Sequence, residues 1–434
     1  MKIKGGRKLK GEITLRGAKN AVPKIMVAAL LTDENCVMQN VSHVVDTRIM
    51  SEMFTEMNCK VSYSFTDGAM EICAKDLKPL SLEKVQNYSG LSRIPTLTAG
   101  PMLARFGKAF LPRPGGCAIG QRPIDFHIMA LEKMGAGLHD VEDGLEFTCT
   151  KLHGAKICLD YPSVGATEQI LLSAVLADGV TEISNCAIEP EITDLILVLQ
   201  KMGANIYVDV DRVIRIVGVE KLHGFEHSVI PDRIEAASWA CAAMVTDGEI
   251  LVRNARQIDM LTFLNKYREV GGAFHITTEG ILFSRGGKFG STIVETDVHP
   301  GFMTDWQQPF VTVLTQAEGI SIVHETVYED RFGYVKSLNK MGAKIQVFKD
   351  CLGGKKCRFE QRNHMHSAVI SGCTPLHAAE IEIPDLRAGF TYAIAALAAE
   401  GESTLNGIMY IDRGYENFYE KLMSLGADVT EYVK

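Results

Sequence analysis

Six segments of the chain repeat one pattern of apolar and polar positions. Each has an apolar residue, two mostly polar residues, a second apolar residue and then Gly-Ala or a near equivalent; they begin at Phe54, Leu131, Leu199, Tyr267, Leu338 and Leu422. Apolar residues three positions apart lie on one face of a helix, and glycine favours the left-handed conformation that ends a helix. Each segment therefore predicts the last turn of an amphipathic helix, followed by a strand.

A second landmark lies about 20 residues before each of these segments. There an Ala-rich helix ends in a polar or acidic turn and a strand follows, as in VLADGVTEISN and LAAEGESTLNG. Because the two landmarks keep phase, we interpret the chain as six units of about 72 residues, each too small to bury its apolar face alone. Three units are predicted to close around their helices into one α/β lobe, and six units to form two lobes.

The boundary between the predicted lobes is placed near Pro231-Asp232, halfway through the six units. The first lobe is assigned residues 20–231, which include a loop around Cys117. The second lobe is assigned residues 232–434 together with residues 1–19, a segment that could belong to either lobe.

Composition and charge argue against several classes of protein. The 434 residues carry 45 Lys and Arg against 53 Asp and Glu, and a net charge of −8 does not suit a nucleic-acid-binding protein. The longest uncharged run near the end, residues 388–399, is shorter than the ~20 residues of a membrane helix, and no secretory signal is found. Eleven cysteines without a Cys-x-x-Cys pair favour reduced thiols. We expect a soluble, cytoplasmic protein that binds neither nucleic acid nor membrane.

The sequence lacks the standard catalytic and metal-binding motifs. Residues 286–292, GGKFGST, have the composition of a phosphate loop, but their lysine stands in the wrong order. His364 and His366 lie near Cys357, yet alternation places both histidines on one strand face without the regular partners of a zinc site. We interpret these histidines as solvated polar residues and predict no metal.

Two segments combine glycines with basic residues. In GAKNA, residues 17–21, Lys19 and Asn20 come directly before an apolar helix, where backbone N–H groups and the lysine could face an anion; an ordinary Asn cap is the alternative. In LPRPGGCAIGQRPIDFH, residues 111–127, three glycines and three prolines surround Cys117 and Arg122. Basic neighbours favour the thiolate form of a loop cysteine, and a flexible hairpin with an incidental cysteine is the alternative.

Further charged residues stand where strands end or helices begin, among them Asp305, Arg331, Arg387 and Arg413. Arginine in such turns is often only a surface charge. Together with Lys19, however, these residues could bind a ligand that carries a phosphate and a carboxylate.

The chain closely resembles the family of enolpyruvyl transferases that act on UDP-N-acetylglucosamine. The resemblance runs from about residue 10 to about residue 430 and rests on the strings GAKNA, GGCAIGQRPIDFH, SVGAT, EPEITD, PDRIE, FMTDWQQ, ETVYEDRF, PDLRAG and YIDRGYE. It implies an inside-out α/β barrel fold, with two lobes of three repeated βαβαββ-type units each. The implied reaction transfers enolpyruvyl from phosphoenolpyruvate to the sugar 3-hydroxyl and releases phosphate, the first committed step of peptidoglycan synthesis. No metal or organic cofactor is implied, and we expect a monomer.

The resemblance also implies a role for each matched residue. Cys117 is the acid, able to form a covalent adduct with the substrate and to react with the epoxide fosfomycin, and Asp305 is the base. The phosphate is assigned to Lys19, Arg122 and Arg413, and the carboxylate to Arg331 and Arg387. Asn20 is expected to hydrogen-bond the sugar, and Arg93 to approach the closed site. The uridine diphosphate is assigned to Arg122, Pro123, Ile124, Asp125, Phe126, Ser163, Val164 and Gly165, and the remaining lining to Glu189, Asp232 and Val327.

Several positions depart from the family pattern. Lys24 and Trp306 stand where apolar or smaller side chains are usual, Tyr161-Pro162 replaces a polar segment, and the Cys117 loop is two residues longer. The alternatives are therefore a divergent paralogue acting on another uridine nucleotide, the shikimate-phosphate enolpyruvyl transferase, a non-catalytic nucleotide-sugar-binding homologue and an RNA-end-processing protein.

Overall fold

The structure is a computed structural model, and it describes residues 1–112, 124–142, 144–354 and 357–430. These residues form two compact units. The amino-terminal unit comprises the described residues between 16 and 230, and the carboxy-terminal unit comprises residues 1–15 together with the described residues from 231 onward. The chain divides after residues 15 and 230, whereas the predicted lobe boundaries follow residues 19 and 231.

The amino-terminal unit has three sheets in its described residues. Its strands are, in sheet order, Glu226–Ser228, Asn35–Gln39, Ala69–Cys73 and Lys60–Ser64; Lys108–Pro112, Gly144–Thr148 and Gly137–Val141; and Asn205–Asp209, Val213–Val217, Val180–Ser184 and Lys156–Cys158. Its α-helices are Val22–Ala28, Val45–Glu56, Leu82–Leu91, Ala99–Phe106, Asp125–Lys133, Val164–Ala174 and Pro190–Lys201, and Ala29–Leu31 and Ile94–Thr98 form 3-10 turns.

The carboxy-terminal unit also has three sheets in its described residues. Its strands are, in sheet order, Glu380–Glu382, Glu402–Asn406, Lys2–Lys4 and Asp428–Thr430; Gly272–Ile276, Gly280–Arg285, Glu249–Arg253 and Lys10–Thr14; and Ile293–Glu295, Gly319–His324, Ser367–Gly372 and Ile345–Phe348. Its α-helices are Arg233–Val245, Leu261–Glu269, Thr304–Thr315, Val335–Lys340, Leu386–Ala398, Met409–Asp412 and Phe418–Ser424, and Gln257–Met260 forms a 3-10 turn.

All five four-stranded sheets have the same mixed topology. One edge strand pairs parallel to its neighbour, and the other two strands follow in antiparallel pairing, as in the sheet that ends with Ile345–Phe348. Parallel neighbours need a long connection, whereas antiparallel neighbours can be joined by a short one, as between Asn205–Asp209 and Val213–Val217. The remaining sheet, with its three strands, is antiparallel throughout.

The predicted helix ends are confirmed in all six segments. Asn58, Gly135, Gly203, Gly271, Gly342 and Gly426 follow the helices, and each has φ between 65° and 101°. Only this left-handed conformation turns the chain sharply enough to close the last helical turn and to begin the next strand.

Buried helices form the core of each unit. In the carboxy-terminal unit, helices Arg233–Val245, Thr304–Thr315 and Leu386–Ala398 pack against one another and are buried over nearly their full lengths. In the amino-terminal unit, helix Ala99–Phe106 packs against the buried helix Val164–Ala174. None of the helices in the described ranges combines the length and apolar character needed to cross a membrane.

An aromatic cluster anchors the start of helix Thr304–Thr315. Phe263 is fully buried, and its ring centroid lies 5.6 Å from that of Trp306 and 6.0 Å from that of Phe310. Trp306 also donates a hydrogen bond from its indole Nε1 to the Arg233 carbonyl oxygen at 3.3 Å. The tryptophan that departs from the family pattern therefore serves the core of this unit.

We expect Phe263→Ala to lower the free energy of unfolding of the carboxy-terminal unit by about 3–5 kcal/mol, because it leaves a cavity that rigid neighbours cannot fill. Both tryptophans of the chain lie in this unit, so their fluorescence during denaturant unfolding reports on it. Ile258→Ala, at a side chain that is 64% exposed, is the control and should change stability by less than about 1 kcal/mol. Equal losses in both variants would contradict the assignment of Phe263 to the core.

Candidate functional site

Asp305 lies between two buried arginines in the carboxy-terminal unit. Arg331 donates a hydrogen bond from Nη2 to Asp305 Oδ1, and Nη2 of Arg387 lies 3.8 Å from Asp305 Oδ2. The two arginine side chains are 2% and 6% exposed, whereas the Asp305 side chain is 17% exposed. A buried guanidinium requires a partner of opposite charge, and the Asp305 carboxylate partners both. Because it is the most accessible member, the carboxylate can be approached from solvent.

The position of Arg331 depends on a buried glutamate that the sequence did not single out. Glu325 follows strand Gly319–His324 and accepts hydrogen bonds from Thr304 Oγ1 at 2.9 Å and from the Val327 backbone N–H at 2.8 Å. Burial raises the pKa of Glu325, and the charge of Arg331 opposes that rise. These bonds shape the turn that leads to Arg331 and tie it to the helix that carries Asp305.

Arg331 retains one unused donor. Its Nε–H is buried and has no hydrogen-bond acceptor among the described residues. Burial of an unpaired donor costs roughly 1–3 kcal/mol, so this group is suited to an anion that arrives from outside. Arg331 also lies over the ring of Tyr328, with its Cζ 5.3 Å from the ring centroid.

Arg387 is held by the start of its own helix. Asp385 caps helix Leu386–Ala398 and accepts hydrogen bonds from the backbone N–H groups of Arg387 and Ala388 at 2.8 and 3.0 Å. The guanidinium donates to the Tyr415 hydroxyl oxygen at 3.0 Å. Burial alone would lower the pKa of Arg387, but Tyr415 and Asp305 raise it above its ordinary value, so the arginine stays charged.

Two other predicted residues of this unit have identifiable local positions. Asp232 is buried and caps helix Arg233–Val245, where it accepts from the Ile234 and Glu235 backbone N–H groups at 2.8 and 3.1 Å. Its charge also contributes to the raised pKa of Arg387. Arg413 is half-buried at the end of the short helix Met409–Asp412.

In the amino-terminal unit, Lys19 forms an ion pair with Asp46, and both side chains are largely buried. Asn20 is half-buried and does not cap a helix, because helix Val22–Ala28 begins after Ala21 without a side-chain cap. The alternative of an ordinary Asn cap is therefore wrong. The expectation of free backbone N–H groups at this point is also wrong for Ala21 and Val22, since both donate to the Ala18 carbonyl oxygen.

Lys24 is buried beside a second buried carboxyl group. Its Nζ donates to the Asn20 carbonyl oxygen at 2.6 Å and lies 3.6 Å from Glu168 Oε1. Burial raises the pKa of Glu168 to about 7, and the charges of Glu191 and Glu189 add to the rise. Lys24 opposes this effect, so the lysine that departs from the family pattern is the cation of an acidic cluster. Glu189 itself is buried directly before helix Pro190–Lys201.

The start of helix Val164–Ala174 brings together several residues predicted to bind the nucleotide. Ser163 caps the helix and accepts from the Ala166 backbone N–H at 3.3 Å, so Val164 and Gly165 form the first turn. His127 lies against that turn, because a Cβ on Gly165 would come within 3.2 Å of its Nε2. Burial lowers the pKa of His127 to about 4, and the charge of Arg93 contributes. The imidazole is therefore neutral near pH 7.

The remaining predicted residues of this unit are placed as follows. Ile124 is buried, Asp125 is exposed in the first turn of helix Asp125–Lys133, and Phe126 is half-buried. Arg93 directly precedes the 3-10 turn Ile94–Thr98 and is half-buried. Cys117, Arg122 and Pro123 lie outside the described residues. The structure therefore defines two sets of predicted site residues, one in each unit.

The interpretation of His366 as a solvated residue is wrong. The side chain has no exposed surface, and its Nδ1 lies 2.9 Å from the His364 carbonyl oxygen. Both histidines precede strand Ser367–Gly372, so their predicted placement on one strand face is also wrong, and the ring of Phe359 packs against both. His364 is only half-buried, with its Nδ1 3.6 Å from Asp330 Oδ1.

Comparisons with known proteins agree with this architecture. A family model described as EPSP synthase (3-phosphoshikimate 1-carboxyvinyltransferase) matches residues 3–422. A UDP-N-acetylglucosamine 1-carboxyvinyltransferase of Protochlamydia amoebophila (strain UWE25) is 51% identical over 99% of this chain and 94% of its own length. The protein of the same name from Chlamydia abortus (strain DSM 27085 / S26/3) is 46% identical over 98% of this chain and 96% of its own length.

Solved structures show the same fold at low sequence identity. The enolpyruvyl transferase NikO from Streptomyces tendae superposes with a TM-score of 0.85 at 22% identity, over 98% of this chain and 97% of its own. EPSP synthase from Acinetobacter baumannii gives a TM-score of 0.75 at 18% identity, over 98% and 97%. The fold is the mixed α/β fold of the enolpyruvyl transferases, with six small sheets in the described residues, five of them mixed. The chain belongs to the EPSP synthase family.

The raised pKa of Glu168 predicts a pH-dependent stability. The pKa of this carboxyl is 4.5 in the unfolded chain and about 7 in the folded chain. Between these two pH values the folded chain therefore binds the proton more tightly than the unfolded chain does. The protonated carboxyl therefore contributes its full stability to the folded chain below pH 4.5, and this contribution is lost as the pH rises to about 7. We expect this group to lower the free energy of unfolding by about 3 kcal/mol across that range.

Glu168→Gln should remove this component, so the variant loses less stability than the wild type between pH 5 and pH 8 in denaturant unfolding followed by circular dichroism. Glu220→Gln, at an exposed residue of the same unit, should retain the wild-type dependence. Parallel pH profiles for wild type and Glu168→Gln would contradict the raised pKa.

Proposed function

We propose that the chain transfers the enolpyruvyl group from phosphoenolpyruvate to the 3-hydroxyl of UDP-N-acetylglucosamine and releases phosphate, as a carboxyvinyltransferase of peptidoglycan precursor synthesis. Full-length relatives that carry this activity in their names support the assignment. The structural observation that carries it is the Asp305 carboxylate between the two buried guanidinium groups of Arg331 and Arg387. The same relatives disfavour the shikimate-phosphate reaction for this chain, since they are named for another acceptor.

We further infer that each unit is an inside-out α/β barrel of three repeated units. The buried central helices, the three sheets of each unit and the six left-handed helix ends support this arrangement. The monomeric state and the cytoplasmic location stay predictions.

The carboxylate of phosphoenolpyruvate is proposed to compete with Asp305 for the arginines. Planar guanidinium groups bind carboxylates through paired hydrogen bonds, and Arg331 offers its unused Nε–H in addition. A substrate carboxylate that binds here takes over hydrogen bonds now made by Asp305. The Asp305 side chain is then released for a new partner only when the substrate is bound.

Release of Asp305 supplies a base at the correct moment. The acceptor oxygen bonds to C2 of phosphoenolpyruvate, the hydroxyl proton passes to Asp305, and a proton from Cys117 is added to the methylene carbon C3. Phosphate then leaves C2 while one proton of that methyl group passes back to the Cys117 thiolate, and the double bond is regenerated. A carboxylate still bound by two arginines would be a weaker base, so coupling its release to substrate binding limits proton transfer to the complete complex.

The set in the amino-terminal unit is proposed to bind the phosphate and the nucleotide. Lys19 supplies a cation that its partner Asp46 holds in place. The first turn of helix Val164–Ala174 offers backbone N–H groups and the positive end of the helix dipole to a diphosphate. A neutral His127 beside Gly165 adds a polar group without adding charge.

The function is tested by phosphate release from phosphoenolpyruvate with four acceptors: UDP-N-acetylglucosamine, UDP-glucose, UMP and shikimate 3-phosphate. We expect turnover with the first acceptor and little with the others. Turnover with UMP but none with UDP-N-acetylglucosamine would overturn the proposed acceptor while leaving the reaction type.

Asp305→Asn tests both the base and the competition. The amide cannot accept the proton, so we expect kcat to fall by about 10²–10⁴-fold. Because the amide no longer competes as an anion, the Kd for phosphoenolpyruvate, measured by calorimetry, should fall several-fold. Asp247→Asn, at an exposed residue of the same unit, should change neither quantity. Weaker binding of phosphoenolpyruvate to Asp305→Asn would contradict competition for the arginines.

Cys117 provides a chemical test of the acid. We expect fosfomycin to inactivate the wild type by alkylating this thiol, and Cys117→Asp to retain activity and resist inactivation, because a carboxylic acid can donate the proton but is a poorer nucleophile. Cys158→Ser, which removes an exposed cysteine elsewhere in the chain, should stay sensitive. An active wild type that resists fosfomycin would show that the thiol does not act as proposed.

A further inference from the structure

Two cysteines and two histidines converge in the carboxy-terminal unit, apart from Asp305 and its two arginines. One ligand atom each of His324, Cys351, Cys357 and His366 lies within 4.8 Å of the others. The Cys351 and Cys357 sulfurs are 3.6 Å apart, and Cys351 Sγ lies 3.4 Å from His366 Nε2. Such separations suit four ligands placed at the corners of a tetrahedron around one ion.

The two histidines are prepared as ligands. His324 and His366 have no exposed surface. Neither ring nitrogen of His324 has a hydrogen-bond partner among the described residues, although both are buried. An imidazole always carries at least one donor or acceptor that needs a partner, so this pair of buried nitrogens calls for a group that is not part of the polypeptide.

The hydrogen bonds around the cluster orient its members toward a common point. His366 Nδ1 lies 2.9 Å from the His364 carbonyl oxygen, which fixes the N–H there and leaves the Nε2 lone pair directed at Cys351. The Phe359 backbone N–H donates to Cys357 Sγ at 3.4 Å and so fixes the position of this sulfur. Ser367 Oγ accepts a hydrogen bond from the Leu352 backbone N–H at 3.2 Å and so anchors the residue next to Cys351.

We propose that His324, Cys351, Cys357 and His366 bind one zinc ion. Two sulfurs and two imidazole nitrogens in tetrahedral arrangement favour zinc over the oxygen-seeking cations magnesium and calcium. With four protein ligands, the ion has no open position for substrate, which makes the site structural.

The ion would join a long connection to the strand that precedes Arg331. His324 ends strand Gly319–His324, while the two cysteines belong to the connection between strands Ile345–Phe348 and Ser367–Gly372. Arg358, next to Cys357, donates to the Val327 carbonyl oxygen. The bound ion therefore positions Cys351, Cys357 and Arg358 beside the turn after His324. This role does not depend on which acceptor the enzyme uses.

The sequence offered little signal for this site. Cys351 and Cys357 are separated by five residues rather than two, and His324 is 27 residues before Cys351. The absence of regular spacing led to the expectation that no metal binds. The ligands converge only because strands Gly319–His324 and Ser367–Gly372 are antiparallel neighbours, so that His324 pairs with Ser367, next to His366.

Metal analysis of the untagged, full-length protein tests the proposal. Protein purified in zinc-containing buffer and then desalted should carry about one zinc ion per chain by mass spectrometry. Cobalt replacement should give the ligand-field bands of a tetrahedral site and a thiolate charge-transfer band. Cys351→Ser and His366→Asn should lose the metal, whereas the matched controls Cys158→Ser and His364→Asn should retain it.

A second measurement covers the case in which those variants fold poorly. Removal of zinc from the wild type by a chelator should lower its melting temperature by several degrees and increase hydrogen exchange in residues 324–331 and 351–366, and added zinc should reverse both changes. The proposal is overturned if the zinc-treated wild type carries no metal, if its metal content survives both substitutions, or if peptide mass analysis finds a Cys351–Cys357 disulfide in the purified protein.

Discussion

Buried arginine requires buried negative charge, and this constraint shapes the carboxy-terminal unit around Asp305. Arg331 and Arg387 are held by separate helices and turns, yet both direct a guanidinium group at one carboxylate. Removing both charged arginines from water without that carboxylate would cost several kcal/mol per ion. Glu325 holds the turn that leads to Arg331, and Asp385 holds the backbone of Arg387. The Tyr415 hydroxyl accepts a hydrogen bond from the Arg387 guanidinium.

The same constraint supports the proposed chemistry of the site. An internal carboxylate keeps the guanidinium groups in place before substrate arrives, and a substrate carboxylate can replace it without leaving the arginines unpaired. In the amino-terminal unit, the Asp46 carboxylate holds the Lys19 ammonium group in the same way. Lys24 with Glu168 differs, because burial raises the pKa of this carboxyl to about 7 and so makes its charge depend on pH. We therefore propose that ion pairs in this protein serve both substrate binding and stability.

Local features could be predicted from the sequence, and contacts between distant segments could not. Helix ends at Gly135, Gly203 and Gly342 were predictable because a left-handed residue after an apolar helix is a property of a few neighbouring residues. Asp305, Arg331 and Arg387 were proposed from turns and from family resemblance. Their convergence was not predictable from spacing, since 26 and 82 residues separate Asp305 from the two arginines. Glu325 and His324 gave no signal, because one looks like an ordinary surface acid and the other like a strand residue.

A crystal structure of the wild type with phosphoenolpyruvate and UDP-N-acetylglucosamine tests the exchange of arginine partners most directly. We predict that Arg331 and Arg387 bind the substrate carboxylate and that Asp305 leaves Arg331 to lie within about 3 Å of the acceptor 3-hydroxyl. A complex in which Asp305 still pairs with Arg331, while the substrate carboxylate lies elsewhere, would contradict the exchange.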